Sequence, residues 1–370
     1  MGRRVPYVDF SAQYARERRG LLEKLDRTLA RGEHILGGEV EAFEKAFARL
    51  CGVKHAIGVA NGTDALILVL RALGVGPGDE VITAPNSFVA SAAAVALCGA
   101  SPRFADVGLD QLLDARALER AVTRRTKAVI PVHLTGKVCD MAAITRVAKK
   151  KGLFVIEDAA QAVGALYQGR KAGSFGRAAC FSFHPLKNLN AAGDAGGIVT
   201  DDGALAGKLR LLRNHGLRSR NEVAFWGYNS RLDNLQAAVL NARLPGLPKV
   251  TAARRRNAEV YRAGLAGLED VLEVPRDAKG AVDAYHLFVI QCDRRDELQR
   301  FLKQNGVSTA VHYPTPLHLQ PAARLLGYKK GDFPHAERQS ERILSLPIHQ
   351  HLTRAQLEHV IAAIRRFYRR

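Results

Sequence analysis

The sequence predicts an α/β protein: a mainly parallel sheet covered on both faces by helices, joined to a smaller α+β domain. Three observations carry that prediction. Apolar runs of strand length recur through the first two thirds of the chain, helical patterns separate several of them, and the alternation stops near residue 246. Strands that are apolar throughout, with helices between them, indicate a parallel sheet buried on both sides.

In chain order the strand candidates are "HAIGVA" (55–60), "EVITAP" (80–85), "KAVIPVHL" (127–134), "LFVIEDA" (153–159), "CFSFH" (180–184) and "GGIVTD" (196–201). Helical patterns occupy 64–73, 88–98, 140–151 and 203–214. The turn "GVGPGDE" (74–80) breaks the chain before the second strand. "VASAAAVALCGA" (89–100) is too short to span a bilayer and reads as a buried helix. "RLPGLPKV" (243–250) interrupts helix, and beyond it come a basic helix (249–267), a strand (285–292) and further helices. The expected division is a large domain, 1–245, and a small C-terminal domain, 246–370.

Composition bounds the function classes. A chain of 370 residues, 47% hydrophobic and 25% charged, is long enough for two cores and has a soluble globular balance. The start, "MGRRVPYVDF", lacks the apolar stretch of a signal peptide, and Pro6 breaks the myristoylation pattern. Five scattered cysteines show no metal-ligand or redox spacing, so the expectation is reduced thiols, a cytoplasmic location and no structural metal. A net charge of +19 raises nucleic-acid binding. Basic residues are nevertheless dispersed, with knots only at "RRR" (254–256) and "RRFYRR" (365–370), and no nucleic-acid module surrounds them. Steering of an anionic small substrate accounts for the charge as well.

In an open α/β sheet ligands sit beyond the carboxyl ends of the strands, so chemistry is sought there. "VANGTDAL" (59–66) sets Gly62, Thr63 and Asp64 at a helix start, where free amides can hold a phosphate. Alone, Asn61 or Thr63 is an ordinary helix cap. "NSFVAS" (86–91) places Phe88 after a strand, where it can stack on a flat ring or simply fill core. "VIEDAAQAVGA" (155–165) ends a strand on Glu157 and Asp158, carboxylates that are costly to bury without a cation or several donors. Next comes "FSFHPLKNLNAAGDAGG" (181–197), with Lys187 between a strand end and a glycine-rich stretch. Each signal is weak alone. In this order they describe a site for pyridoxal phosphate, which needs a Schiff-base lysine, an acid at its ring nitrogen and donors for its phosphate.

Nearly the whole chain resembles the nucleotide-sugar aminotransferases, the DegT-type group of fold-type-I pyridoxal phosphate enzymes. The resemblance runs through "ILGGEVEAFE" (35–44), "NGTDAL", "NSFVAS", "EDAAQAVGA", "FSFHPLKNLNAAGDAGG", "GYNSRLDNLQAAVL" (227–240), "HYPTPLHLQP" (312–321) and "LSLPIH" (344–349). It implies Lys187 as Schiff-base residue and proton shuttle, Asp158 as partner of the pyridine nitrogen, Gln161 as partner of the ring hydroxyl and Phe88 as stacking residue. It implies Gly62, Thr63 and Ser182 as phosphate ligands. Asn229 is similar to an asparagine that reaches the phosphate of a neighbouring subunit, which implies a homodimer with shared sites.

Departures from the common pattern are Val163 for histidine, Thr135 for tyrosine and Ala195 for glycine. Val163 and Thr135 are expected near the substrate or ring. His312, Tyr313 and His318 are candidates for the substrate entrance, with plain loop packing as the alternative. Lys187 argues against the branch of relatives in which histidine replaces it and the activity becomes sugar dehydration. The leading expectation is transfer of an amino group, from a donor such as L-glutamate, to a keto sugar carried on a nucleotide. A keto-cyclitol acceptor is the alternative. A nucleic-acid-binding regulator on the same fold is a remote one.

Overall fold

The structure is a computed structural model that describes residues 4–369. Seven strands build the central sheet: β1 (His55–Val59), β2 (Glu80–Thr83), β3 (Ser101–Phe104), β4 (Thr126–Ile130), β5 (Phe154–Asp158), β8 (Ala178–Ser182) and β9 (Gly196–Thr200). Their spatial order is β1-β9-β8-β5-β4-β2-β3. β9 runs antiparallel to both of its neighbours, and every other pairing among β2, β3, β4, β5 and β8 is parallel. The regular strand ends at Ile130, before Pro131, which has no amide to donate, and pairing with β5 resumes as a single bridge from Val132 to Asp158.

Helices cover both faces. α3 (Gly62–Ala72), α4 (Ala90–Leu97) and α7 (Gly203–Leu212) pack together on one side, α2 (Gly38–Cys51) and α8 (Asn234–Arg243) pack together on the other, and α6 (Met141–Lys151) packs against β5. Strand alternation sorts the side chains: Cys180 packs in the first layer, Ala179 and Phe181 in the second. Phe43 and Phe47 of α2 meet Phe181 and Phe183 edge to face, with centroids 4.9–5.2 Å apart. α1 (Phe10–Ala30) and α5 (Ala115–Ala121) complete the helices of this part.

A second core gathers α9 (Leu247–Leu265), α10 (Arg295–Gln304) and α12 (Arg354–Phe367) around a sheet of β12 (Leu272–Glu273), β14 (Phe288–Cys292) and β15 (Ile343–Leu346). Val5 is buried in that core and bridges to Val307, so the two ends of the sequence meet there. Conversely, Phe333 and Ala336, the latter on α11 (Pro334–Arg342), pack on the large core. Short strands link the parts: β6 (Leu166–Tyr167) pairs with β7 (Arg170–Lys171) and β13 (Ala281–Val282), and β10 (Leu217–Ser219) pairs with β11 (Glu222–Val223) in a surface hairpin. Among the described residues no helix is long and apolar enough to cross a membrane.

Candidate active site

A cavity of about 720 Å³ opens beyond the carboxyl ends of β1, β5 and β8, where an open α/β sheet is expected to hold its ligand. Its walls include Gly62, Thr63, Phe88, Asp158, Gln161, Ser182, Lys187, His312 and Tyr313. Residues as far apart in sequence as Asn61 and Tyr313 thus meet in one place.

At the β1 end, the Asn61 side chain caps α3 by accepting the Asp64 amide at 2.8 Å. That bond takes one of the three amides expected to face a phosphate. The amides of Gly62 and Thr63 have no protein acceptor among the described residues, and they sit at the positive end of the helix. A Cβ on Gly62 would stand 2.8 Å from the Ser182 Cβ, so glycine is what lets the helix start and the end of β8 come together.

β5 presents two adjacent carboxylates. Glu157 is fully buried and accepts the amides of Gly173, Phe175 and Gly176, each at 2.7 Å. His133 Nε2 lies 2.9 Å away, while His133 Nδ1 accepts the Cys139 amide at 3.3 Å, so Nε2 carries the proton and donates to Glu157. Asp158 lines the cavity instead. Its Oδ2 accepts the Ser91 hydroxyl at 2.7 Å and its Oδ1 the Ala160 amide at 3.2 Å.

Lys187 stands in the loop between β8 and β9. Its amide donates to the His184 carbonyl at 2.8 Å, and the neighbouring Asn188 side chain donates to the Ala284 carbonyl at 2.8 Å. Burial pushes the Lys187 amine down from 10.5 to about 8, against the opposing pull of the Asp158 carboxylate. Around it stand groups held neutral. Burial first, and the Lys187 charge next, push His312 down to about 4 and hold His286 well below 6.5. Burial and the Asp158 charge push Tyr313 up to about 12, with a hydrogen bond from Gln161 acting the other way. Gln161 is fixed by its own acceptor end, because Oε1 takes the Thr135 amide at 2.7 Å. Thr135 reaches that position with a left-handed φ of 63°. Phe88 stays half exposed and tilts at 42° against Tyr313, centroids 5.8 Å apart.

Two expectations fall elsewhere, and a third, for Asn229, concerns a neighbouring subunit. His318 does not line the cavity: the short turn 317–319 carries it inward, where Nε2 lies 2.9 Å from Glu337 and the ring packs on Phe333. Val163 is buried with Ala159, Phe181 and Leu247 rather than beside a ligand, the turn after β5 having rotated it into the core. Asn229 is exposed outside its own chain's cavity, next to a 92% exposed Trp226. The sequence reading also missed His286, which lines the cavity. A single histidine before an apolar strand carries no local signal, and only the packing of Tyr285 and His286 against Gly136 brings it in. A Cβ on Gly136 would lie 2.9 Å from the amide nitrogen of each.

A model of the DegT/DnrJ/EryC1/StrS aminotransferase family matches residues 16–365. The chain is 44% identical over 367 residues to a protein of Geobacillus stearothermophilus named pleiotropic regulatory protein, covering 99% of each. It is also 44% identical to the dTDP-3-amino-3,4,6-trideoxy-alpha-D-glucose transaminase of Streptomyces venezuelae, covering 99% of this chain and 97% of that one. Among solved structures, S. venezuelae DesV in complex with a ketimine intermediate superposes with a TM-score of 0.97 at 44% identity, covering 99% of both chains.

Proposed function

The chain belongs to the DegT/DnrJ/EryC1/StrS aminotransferase family, and from that premise we propose a pyridoxal phosphate-dependent transaminase that aminates a keto sugar carried on a nucleotide. The observation that carries this reading is the sharing of one cavity by Lys187, Asp158 and the helix start at Gly62 and Thr63. Those residues fit the cofactor. The free amides and Ser182 suit its phosphate, Asp158 its ring nitrogen, Gln161 its ring hydroxyl and Phe88 its flat face. The transaminase from S. venezuelae supports a nucleotide-linked sugar as substrate.

Bound there, the cofactor supplies an electron sink for the carbon that carries the migrating amino group. The protein's part is binding and proton handling. An amine pushed down to about 8 is partly neutral at physiological pH, so Lys187 can act as nucleophile and as base. Asp158 favours the protonated ring nitrogen, each unit of raised pKa being worth about 1.4 kcal/mol. His286 and His312, held neutral, offer hydrogen bonds to substrate without adding charge beside Lys187. An amino acid such as L-glutamate would return the nitrogen in the other half-reaction.

The reading includes a cytoplasmic two-fold homodimer, the commonest closed assembly. The hairpin of β10 and β11 and the strand of chain after it leave Val223, Trp226, Tyr228 and Asn229 exposed, and a second subunit would cover them and receive Asn229. A division near residue 246 into cofactor-binding and small domains belongs to the same proposal.

The test uses protein purified with the cofactor. Borohydride should fix a label on Lys187, and glutamate with a panel of nucleotide-linked keto sugars should release 2-oxoglutarate. Turnover retained in Lys187→Ala would overturn the assignment. DNA retention that salt abolishes, with no cofactor absorbance, would point to the regulator instead.

A further inference from the structure

We propose that Ser91 is a positioning residue for Asp158, setting how that carboxylate meets the ring nitrogen; the inference rests on the reading above. The backbone of Asp158 is already fixed. Its amide donates to the Pro131 carbonyl at 3.0 Å, its carbonyl accepts the His133 amide at 3.0 Å, and it pairs with Cys180 of β8. These bonds hold the Cα and leave the side-chain rotamer open.

Two donors close that freedom. The Ala160 amide reaches Oδ1 at 3.2 Å, a long contact, and the Ser91 hydroxyl reaches Oδ2 at 2.7 Å, a short one. Ser91 is wholly buried in the first turn of α4, so water does not compete for its hydroxyl. An ionised carboxylate can only accept, which fixes the hydroxyl proton between the two oxygens. The bond therefore holds Asp158 in one rotamer. It leaves the other lone pairs of the carboxylate available to a cationic ring nitrogen.

The same stretch of chain does a second job. Phe88 and Ala90, three and one residues before Ser91, line the cavity. The α4 start thus carries both the apolar wall beside the ring and the donor that aims the acid at it. A shift of this helix would move both together.

The experiment compares wild type, Ser91→Cys and Ser91→Ala, all loaded with cofactor. Cysteine keeps the volume with a weaker donor, and alanine removes the donor. Expected is a graded fall in kcat, wild type above Cys above Ala, reaching roughly 10–100-fold for alanine while the KM for the amino donor moves by less than about threefold. The pH midpoint of the bound cofactor's visible band should shift in the same order, with the melting temperature of the cofactor-free protein nearly unchanged. An alanine variant with wild-type kcat and midpoint would overturn the positioning role while the proposed function stood. So would losses of kcat that track melting temperature instead of donor strength. A wild-type protein that binds no cofactor would overturn both.

Discussion

Glu157 and Asp158 are neighbours on β5, yet strand alternation sends their carboxylates to opposite faces of the sheet. Glu157 meets three backbone amides and a histidine N–H, all within 2.9 Å. Asp158 meets one hydroxyl and one distant amide, and its remaining capacity faces a cavity that also holds a lysine. Both are buried acids after one strand, and the accounting of lone pairs separates them. A carboxylate whose acceptor sites are all filled by its own chain holds loops in place. One left partly open beside a cavity is available to a ligand.

Mutation should widen the contrast. In Asp158→Ala, cofactor should bind weakly and turnover fall by on the order of 10³-fold in a glutamate-dependent assay, while thermal unfolding of the cofactor-free protein moves little. Unchanged kinetics would put Asp158 in the same class as Glu157. Glu157→Gln should do the reverse. Its new NH₂ group would confront amides or the His133 N–H that now donate there, and leaving buried donors unpaired costs about 3 kcal/mol in total. Chemical denaturation should read that loss, while the folded fraction keeps its cofactor absorbance.

A subtler probe is pH. Lys187 in the folded chain releases its proton near 8, whereas the unfolded chain holds it to about 10.5. Between those values the unfolded state binds more protons, so this lysine's contribution makes stability rise with pH across that window. Denaturation curves of cofactor-free protein should show the rise, and Lys187→Leu should remove it. Because Asp158 opposes the shift, Asp158→Ala should open the window at lower pH, and Glu157→Gln should leave its onset in place. The smallest effect is expected at a third acid, Glu23, paired with Arg19 on exposed α1. Glu23→Gln should leave the melting temperature within error, since exposed pairs contribute little.

Most of the frame was legible because it depends on local patterning. The apolar runs marked the strands that hold the site, and the stretches around Gly62, Asp158 and Lys187 each sat just past one. What escaped depended on distant packing or on weak periodicity. α1 buries only Leu21 and Thr28 along its whole length, too few apolar anchors to announce a helix. The reversed direction of β9 leaves no mark in its composition. The bond from Ser91 to Asp158 spans 67 residues, and the one anchoring Asn188 to Ala284 spans 96. For His318 the alternative of plain loop packing holds: it shares a loop with His312, and one short turn parts them.

The meeting of Val5 with Val307, and of Gly62 with Tyr313 across the cavity, bears on how the molecule is born. Synthesis delivers the turn at Gly62 and Thr63 early and the last wall of the pocket only after some 250 further residues, so a nascent chain carries Lys187 well before it can enclose anything around it. On the proposed function, capture of the vitamin is therefore a late event, and fragments that stop short of residue 313 should leave the ribosome with the Lys187 amine and no closed place to use it.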